Sequence, residues 1–324
     1  MASDELPAAC DVAVIGGGAA GLSAGLTLAR AGRSVVVVDD GAQRNLPAEG
    51  IHGFLTREGL APGELVRLGA ADVRGYGGRV VAGRVARASA LTPDAPDTAA
   101  FALELEDGRG LRARRVILAA GLRDELPPIP GLRERWGRDV VHCPYCHGHE
   151  VRDTAIAVLA SGPMAAHALL VRQWSDDVTL FLDGGPAPEP RDAERLAARG
   201  IAVVPEPIAA LEVQDDAIIG LRLEDGRVVP RRTVFAVGRM VARADVAEQL
   251  GLRVADHPSG MGREVEADGF GQTAIPGVWA AGNVRDVAAT VVSALDQGVR
   301  AAAHANHDLV HEDAERALAA AVAP

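Results

Sequence analysis

A glycine-rich turn near the start of the chain constrains the fold more than any other sequence feature. The apolar run 12–15 leads into the sequence GGGAAG at residues 16–21, and a helical stretch rich in Ala and Leu follows to Ala31. A second strand then ends at Asp39, 23 residues after the first glycine. This order and spacing are typical of the first βαβ unit of a dinucleotide-binding domain. The pattern therefore predicts an α/β fold.

Each element of this unit has a physical task in binding a nucleotide. Gly16 makes the tight turn, Gly18 lets a pyrophosphate approach the backbone, and Gly21 lets the helix pack on the strand. The positive end of the helix stabilises the phosphates. Asp39 can accept hydrogen bonds from a ribose hydroxyl. The sequence therefore predicts a nucleotide site at this turn.

A second βαβ pattern lies in the middle of the chain, but its glycine-rich turn is eroded. Ala160 and Ala165 replace the first and third glycines, and only Gly162 remains. Pro163 removes a backbone N–H from the turn that should hold phosphate. After the next strand no arginine occurs until Arg191, although an NADP 2′-phosphate normally needs one. We expect a second dinucleotide fold whose nicotinamide site is weakened or lost.

Two cysteines and three histidines lie within residues 142–149, HCPYCHGH. Four interpretations compete: c-type haem attachment, a zinc site, a pair of buried structural thiols, and a redox-active disulfide. Haem attachment needs an exported chain, and a closed zinc site needs a second, well-spaced ligand pair. A C-x-x-C pair at a helix start favours redox chemistry, because the helix can lower the pKa of one thiol. We therefore favour a redox pair at Cys143 and Cys146, with no bound metal.

Composition excludes several classes of partner. The chain has 33 basic and 44 acidic residues, a net charge of −11, which argues against a nucleic-acid or anionic-membrane surface. It contains no lysine, which excludes Schiff-base and Walker-type chemistry. No apolar stretch approaches the roughly 20 residues of a membrane span, and the acidic start is unlike a signal peptide. With Cys10 as the one cysteine outside the motif, a cytoplasmic protein fits best.

Apolar strands that end in Ala-Gly complete the organisation. One ends at Gly121, before the proline-rich link 126–131, and another ends at Gly282. The similar stretch 234–239 is expected to return the chain from an inserted domain. The predicted domains are therefore 1–122 with 241–324, and an insertion over 123–240.

Two further segments have simple expectations. The Ala/Pro/Asp stretch 89–99 reads as a hairpin tip. A helix is predicted from about Ala288 to His304. The histidines at and beyond its end, His304, His307 and His311, are expected on a solvated helix face.

The glycine turn 16–21, Gly121, the C-x-x-C motif and the segment 277–286 together resemble the low-molecular-weight thioredoxin reductase family over essentially the whole chain. The resemblance implies two Rossmann-like, three-layer ββα domains, with FAD in the outer one. It also implies a homodimer and a disulfide that reaches the flavin. Cys143 would attack the substrate and Cys146 would contact the flavin. His147 stands where the family usually has an acid, and it can shuttle protons near neutral pH.

The resemblance also implies which residues bind FAD. The family's aspartate after the last Ala-Gly, which holds the ribityl chain, is replaced by Asn283, whose amide can still bond a hydroxyl. The expected FAD-binding residues are Gly16, Gly18, Ala19, Ala20, Gly21, Asp39, Asp40, Arg44, Asn45, His52, Ala120, Gly121, Gly282 and Asn283.

The complete first turn and the eroded second one resemble the gliotoxin- and holomycin-type dithiol oxidases, which keep FAD and C-x-x-C without depending on NADPH. This implies oxidation of a small natural-product dithiol to its disulfide, with the electrons passed to O₂ to give H₂O₂. One alternative is an NADPH-dependent thioredoxin reductase that acts on a protein partner. Another is a non-catalytic metal or redox sensor that uses the two cysteines and the adjacent histidines as ligands.

Overall fold

The computed structural model describes residues 5–91, 99–160 and 165–322. The eroded turn at Gly162 and Pro163, and most of the expected hairpin tip, lie outside these residues. The chain divides into two compact units. The first consists of Met1–Arg44, Pro62–Arg123 and Met240–Pro324, and the second of Asn45–Ala61 and Asp124–Arg239. These bounds differ from the predicted domains chiefly in Asn45–Ala61, which joins the second unit.

The first unit opens with a parallel sheet that continues into antiparallel strands. Strands β3, β2, β1 and β6 lie side by side in parallel, and β5 and β4 extend the sheet in antiparallel pairing. The β-branched residues of strands β1 and β2 are buried, which is why these strands appear in the sequence as continuous apolar segments. Gly32, with φ of 77°, ends the first helix. The elements are β1 (Ala9–Ile15), α1 (Ala19–Arg30), β2 (Val35–Asp39), α2 (Pro62–Gly75), β3 (Arg79–Ala82), β4 (Val85–Ala90), β5 (Phe101–Leu105) and β6 (Gly110–Leu118).

The second unit contains a parallel five-stranded sheet and a three-stranded antiparallel sheet. The five-stranded order is β11-β10-β9-β15-β8, and the antiparallel order is β12-β13-β14. After the connecting strand β7 (Leu122–Glu125), the elements are β8 (Val140–Val141), α3 (Pro144–His147), β9 (Ile156–Leu159), α4 (Ala165–Val171), β10 (Val178–Phe181), α5 (Pro190–Ala198), β11 (Ala202–Val204), β12 (Ile208–Gln214), β13 (Ala217–Leu223), β14 (Val228–Pro230) and β15 (Thr233–Phe235).

The chain then returns and completes the first unit. Strand β16 pairs with β18 and β7, and β19 adds a parallel strand beside β6. The remaining elements are β16 (Arg239–Ala242), α6 (Asp245–Gln249), β17 (Val254–Asp256), β18 (Gly262–Val265), β19 (Val278–Ala280), a 3₁₀ turn at Gly282–Val284, and α7 (Val291–Val322). The parallel sheets, with their crossover helices, confirm the predicted α/β class.

The last helix is longer than the sequence predicts. It begins at Val291 and continues to Val322, 18 residues beyond the expected end at His304. It packs closely on α1, where a Cβ at Gly298 would lie 2.2 Å from the carbonyl oxygen of Ala20. Among the described helices, none is both long and apolar enough to cross a bilayer.

Candidate active site

The glycine-rich turn is shaped by two backbone contacts that exclude side chains. Gly16 has φ of 107°, and a Cβ there would lie 2.3 Å from the carbonyl oxygen of Ala119 and 3.0 Å from Cα of Ala120. A Cβ at Gly21 would lie 1.8 Å from the carbonyl oxygen of Gly16. Both glycines therefore serve the packing of β1, α1 and the end of β6. The task proposed for Gly21 from the sequence agrees with this contact.

Gly18 differs from its neighbours because the space beside it is open. A Cβ there would have a single heavy-atom neighbour within 4 Å, Cγ of Gln43, at 3.9 Å. Gly18 is the N-cap of α1, and no side chain caps the helix. The first-turn N–H groups, including those of Ala19 and Ala20, thus have no acceptor within the helix. An uncapped helix start beside open space fits a pyrophosphate.

Asp39 lies at the end of β2, where its carboxylate holds the turn. Its Oδ1 accepts a hydrogen bond from the N–H of Gly17 at 3.1 Å. The amide of Gln43 donates to both carboxylate oxygens, at 2.9 and 2.7 Å. The sequence did not predict this role of Gln43.

A cleft of about 600 Å³ opens beside Asp39 and Asp40. Asp40 is paired with Arg243 at 3.3 Å. A cleft beyond the end of β2 suits the ribose and base of a nucleotide bound at the turn. The other lining residues are Gly41, Ala42, Arg74, Val80, Val81, Ala82, Gly83, Arg84 and Glu106.

Gly282, which follows the last apolar strand, contacts the start of α1. Gly282 has φ of 75°, and a Cβ there would lie 2.9 Å from Cβ of Ala20. Its N–H donates to the side chain of Gln297 at 2.8 Å. The structure therefore brings Gly282 to the predicted nucleotide turn. Gly121, with φ of 74°, accepts a hydrogen bond from the N–H of Arg243 at 2.9 Å.

Asn283 uses its amide to close the following loop. Its Nδ2 donates to the carbonyl oxygens of Asp286 and Ala289, each at 3.0 Å. A carboxylate cannot make these bonds, because it has no hydrogen to donate. The replacement of the family's aspartate by asparagine therefore has a local structural use.

Three other predicted FAD-binding residues are divided between the units. Arg44 is the last residue of the first segment of unit one, and Asn45 begins the part of the second unit that ends at Ala61. His52 belongs to this same segment, where it bonds Glu58. The sequence expected His52 beside a cofactor of the outer domain, whereas the structure groups it with the disulfide-bearing unit.

The redox pair lies on a single turn of helix after β8. Cys143 is the N-cap of α3, and Pro144 fills the first helical position, where no N–H is needed. Cys143 and Cys146 are joined by a disulfide, with their Cα atoms 5.2 Å apart. The carbonyl oxygen of Cys143 accepts hydrogen bonds from the N–H groups of Cys146 and His147, at 3.1 and 3.2 Å.

His147 directly follows the disulfide and is largely buried. Neither ring nitrogen has a hydrogen-bond partner among the described residues. Burial lowers the pKa of His147, against the opposing influences of the Cys143 backbone carbonyl and, to a smaller extent, the Glu150 carboxylate. The ring is therefore neutral at neutral pH and can accept a proton.

Aromatic side chains surround the redox helix. Tyr145, between the two cysteines, is 75% exposed and packs edge-on against Trp174, with ring centres 5.8 Å apart. A Cβ at Gly148 would lie 2.6 Å from the Trp174 ring, so glycine is needed there. Trp136 stacks on His142, the residue before Cys143, with ring centres 5.9 Å apart. The redox motif therefore carries one exposed aromatic ring, that of Tyr145, and residues in and beside the motif pack on two tryptophans.

Cys10 has no role in this chemistry. It lies within β1, and its side chain is buried. Burial raises the pKa of Cys10 to about 12, so its thiol stays protonated and unreactive at neutral pH.

The bend directly after the second strand of the second βαβ unit, residues 183–186, has no cationic side chain. Asp183, just beyond β10, directs its carboxylate to the N–H of Ile208 at 2.7 Å. Gly184 and Gly185 complete the bend by bonding to Pro205 and Leu182. The bend is therefore satisfied internally and is acidic where a 2′-phosphate would need a positive charge.

The chain matches known proteins over most of its length. A family model described as pyridine nucleotide-disulphide oxidoreductase matches residues 10–298. Thioredoxin reductase sirT of Leptosphaeria maculans is 30% identical over 323 residues, covering 95% of this chain and 96% of that protein. Thioredoxin reductase tcpT of Claviceps purpurea is 33% identical over 304 residues, covering 89% and 90%. The crystal structure of HlmI is 45% identical, with a TM-score of 0.89 and coverage of 99% and 98%.

Proposed function

The chain belongs to the pyridine nucleotide-disulphide oxidoreductase family, and from this premise we propose that it is an FAD-dependent dithiol oxidase. The reaction converts a small-molecule dithiol and O₂ into an intramolecular disulfide and H₂O₂. The observation that carries the proposal is a contrast within the second unit. The redox helix with Cys143–Cys146 is complete, whereas the turn that would receive a nicotinamide cofactor keeps only one of three glycines, and no arginine follows its second strand before Arg191.

We assign FAD to the first unit because the residues there fit it. Open space beside Gly18, an uncapped α1 and the cleft at Asp39 and Asp40 are the features that a dinucleotide needs. Gly282 and Asn283 would border the same turn. When bound, FAD would accept two electrons from the reduced cysteine pair and return them to O₂.

The cysteines exchange disulfides with the substrate in two steps. A substrate thiolate attacks Cys143, and the Cys143–Cys146 bond breaks with its electron pair on Cys146. The second substrate sulfur then attacks the first, and Cys143 leaves as a thiolate. His147, neutral and without a described hydrogen-bond partner, is suited to accept a thiol proton during this exchange.

A weak nicotinamide site follows from the residues of the second unit. Ala160 and Ala165 replace two glycines, and Asp183 stands near the place of a phosphate-binding arginine. Each lost charge-assisted phosphate contact is worth roughly 1.5–3 kcal/mol, or about 10- to 150-fold in affinity. Several such losses leave at most millimolar binding.

The test supplies the FAD-loaded protein with dithiothreitol in air, without nicotinamide. We expect one O₂ consumed and one H₂O₂ formed for each disulfide produced, measured by an oxygen electrode and a peroxide assay. Cys143→Ser should reduce this rate by at least about 100-fold while keeping the flavin bound, which separates enzyme turnover from reaction of free flavin. Cys10→Ala, which alters the buried free thiol, is the matched control and should turn over normally.

A thioredoxin reductase is the alternative, favoured by the names of the relatives. It predicts rapid anaerobic bleaching of the flavin by micromolar NADPH, followed by reduction of thioredoxin. That outcome, together with no O₂-dependent dithiol turnover, would replace the proposal.

We also propose that the enzyme is a homodimer. Val292, Val299 and Val310 of α7 are each more than two-fifths exposed, and their spacings of 7 and 11 residues align them on one helix face. Light scattering would give twice the chain mass of 33.5 kDa. Val299→Glu should then shift the mass to that of one chain.

A further inference from the structure

Two exposed histidines of α7 each direct one ring nitrogen to the same point. His307 and His311 are four residues apart in the sequence, and their Nε2 atoms lie 3.2 Å from each other. The ring centres are 4.4 Å apart, with the ring planes inclined at 71°. The sequence placed these residues on a solvated helix face, and the structure adds that their nitrogens converge.

The opposite side of α7 is anchored in the first unit, which holds both histidines in place. Leu309, between them in sequence, is fully buried in the apolar core that includes residues of α1 and the parallel sheet. Successive residues of a helix are turned by about 100°, so residues 307 and 311 lie together on the side away from Leu309. Both histidines are exposed there.

The distance between the two nitrogens suits a metal ion. At 3.2 Å the pair can share one proton, which one ring donates and the other accepts. Zinc binds imidazole nitrogen at about 2.0–2.1 Å, and an ion at that distance from both Nε2 atoms makes an N–metal–N angle of about 100°. This angle lies between the values of octahedral and tetrahedral coordination. An ion can therefore take the place of the shared proton, which is released to solvent.

The pair has the spacing of a helical zinc site but lacks the groups for metal-assisted catalysis. The sequence HDLVH at residues 307–311 presents two imidazoles one turn apart, as helical zinc motifs do. Among residues 5–91, 99–160 and 165–322, no group of three or more His, Cys, Asp or Glu side chains could hold a metal ion. Asp308, the acid inside the motif, is paired with Arg115. The pair therefore supplies two ligands and no free general base.

We propose that His307 and His311 bind one divalent ion of the zinc, nickel and copper class through the Nε2 atoms of both rings. Imidazole is a protein ligand that these ions share. The net charge of −11 attracts cations to the surface, and exposed Glu315 lies one turn further along the same face. Water completes the coordination. The bound ion joins two successive turns of α7 and opposes their local unfolding.

The test titrates Zn²⁺ into untagged, FAD-loaded protein by isothermal calorimetry at pH 7, with no thiol present. The Cys143–Cys146 disulfide then offers no thiolate, and the free thiol of Cys10 is buried. His307→Ala and His311→Ala should each weaken binding at least about 10-fold, because loss of a ligand's hydrogen-bond partner alone costs about 10- to 100-fold. Both variants should fold, since the two histidines are exposed and alanine favours a helix.

Two control variants test the spacing of the pair. His304→Ala removes the nearby histidine whose ring stacks on Phe270, with ring centres 4.1 Å apart, and should bind Zn²⁺ like wild type. The double variant His307→Ala/Glu315→His moves the pair to residues 311 and 315, again four apart at exposed positions of α7. Its affinity should return to within about 10-fold of wild type, because residues four apart are neighbours on a helix.

Amide hydrogen exchange gives a readout that does not depend on heats of binding. Zn²⁺ should slow exchange across residues 307–315 in wild type and leave it unchanged in His311→Ala. Wild-type Zn²⁺ affinity in both single alanine variants, an equal loss in His304→Ala, or no recovery in the double variant would overturn the site. The titration needs no turnover, so its result is independent of the proposed oxidase reaction.

Discussion

Gly18 and Gly21 lie three residues apart in one turn, but glycine is present at the two positions for different reasons. A Cβ at Gly21 collides with the carbonyl oxygen of Gly16, so that glycine is required by the protein's own packing. Gly18 has φ of −78° and ψ of −169°, a conformation open to any residue, and its side has space. A group that binds in this space explains why residue 18 is glycine.

This difference predicts opposite effects of two substitutions. Gly18→Asp should leave the free energy of unfolding without FAD unchanged or higher, because aspartate is a good N-cap. The same variant should lose at least about 100-fold in FAD affinity, since its charge faces the pyrophosphate. Gly21→Ala should cost about 1–3 kcal/mol of stability through overpacking. Urea unfolding and flavin titration measure the two effects. Normal FAD affinity in Gly18→Asp would disprove that the pyrophosphate binds beside Gly18.

Asn283 gives a second prediction at the level of one side chain. Asn283→Asp restores the family's residue, but it sets carboxylate oxygens against two carbonyl oxygens that now accept hydrogen bonds. We expect a loss of about 1–3 kcal/mol in the free energy of unfolding, with faster amide exchange across residues 286–289. Asn306→Asp is the matched control, because the oxygen of Asn306 accepts from Arg33 and a carboxylate accepts equally well. Equal stability of both variants would refute this role.

Among the elements, α7 is tied at residues 312 and 313 to arginines that are distant in sequence. Asp313 accepts hydrogen bonds from Arg33 at 2.7 Å and from Arg114. Glu312 pairs with Arg115 at 2.6 Å. These arginines belong to the loop before β2 and to β6, so they hold the end of the helix on the sheet of the first unit.

The ion pairs of α7 predict a pH-dependent stability. Bonds from Arg33 and then Arg114 lower the pKa of Asp313. A carboxyl with a lowered folded pKa stabilises the protein above its unfolded pKa, about 3.9, and this contribution is lost as the pH falls through the folded pKa. Asp313→Asn should therefore cost about 1 kcal/mol at pH 7, a value limited by solvent screening, and progressively less below about pH 4.

Urea unfolding of both proteins at pH 7 and pH 3 checks this dependence. Asp296→Asn removes an exposed pair with Arg300 on the same helix and should cost no more than about 0.5 kcal/mol. A cost in Asp313→Asn that did not change with pH would show that its charge is not the cause.

The sequence predicts the end of a helix or strand well where residues next to that end determine it. The helix α1 ends within one residue of expectation, because the glycine that stops it is adjacent in sequence. The end of α7 was wrong by 18 residues, and the arginines that pair with residues 312 and 313 lie about 200 to 280 residues earlier in the chain, beyond the reach of a local pattern. Gln43 was missed at the site for a milder reason, since a polar loop residue carries no periodic signal.

At the scale of the whole molecule, both βαβ patterns could be predicted from the sequence, but the assignment of Asn45–Ala61 to the second unit could not. This segment follows Asp39 directly and was expected to stay with the first unit. It joins the second through contacts such as His52 with Glu150, and Pro47 lies 2.8 Å from where a Cβ of Gly137 would be. Such contacts depend on tertiary folding, which no local pattern encodes.

Because the first unit is built from three separate segments of the chain, its sheet is completed later during synthesis than that of the second unit. Strand β6 gains its parallel neighbour β19 only when residues 278–280 emerge, and α1 is covered only after α7. The parallel sheet of the second unit is complete by residue 235. On the ribosome, therefore, the unit that carries the thiols has all of its strands some 40 residues before the sheet of the first unit receives its last one. Until α7 follows, the face of α1 that packs on it stays uncovered in the nascent chain.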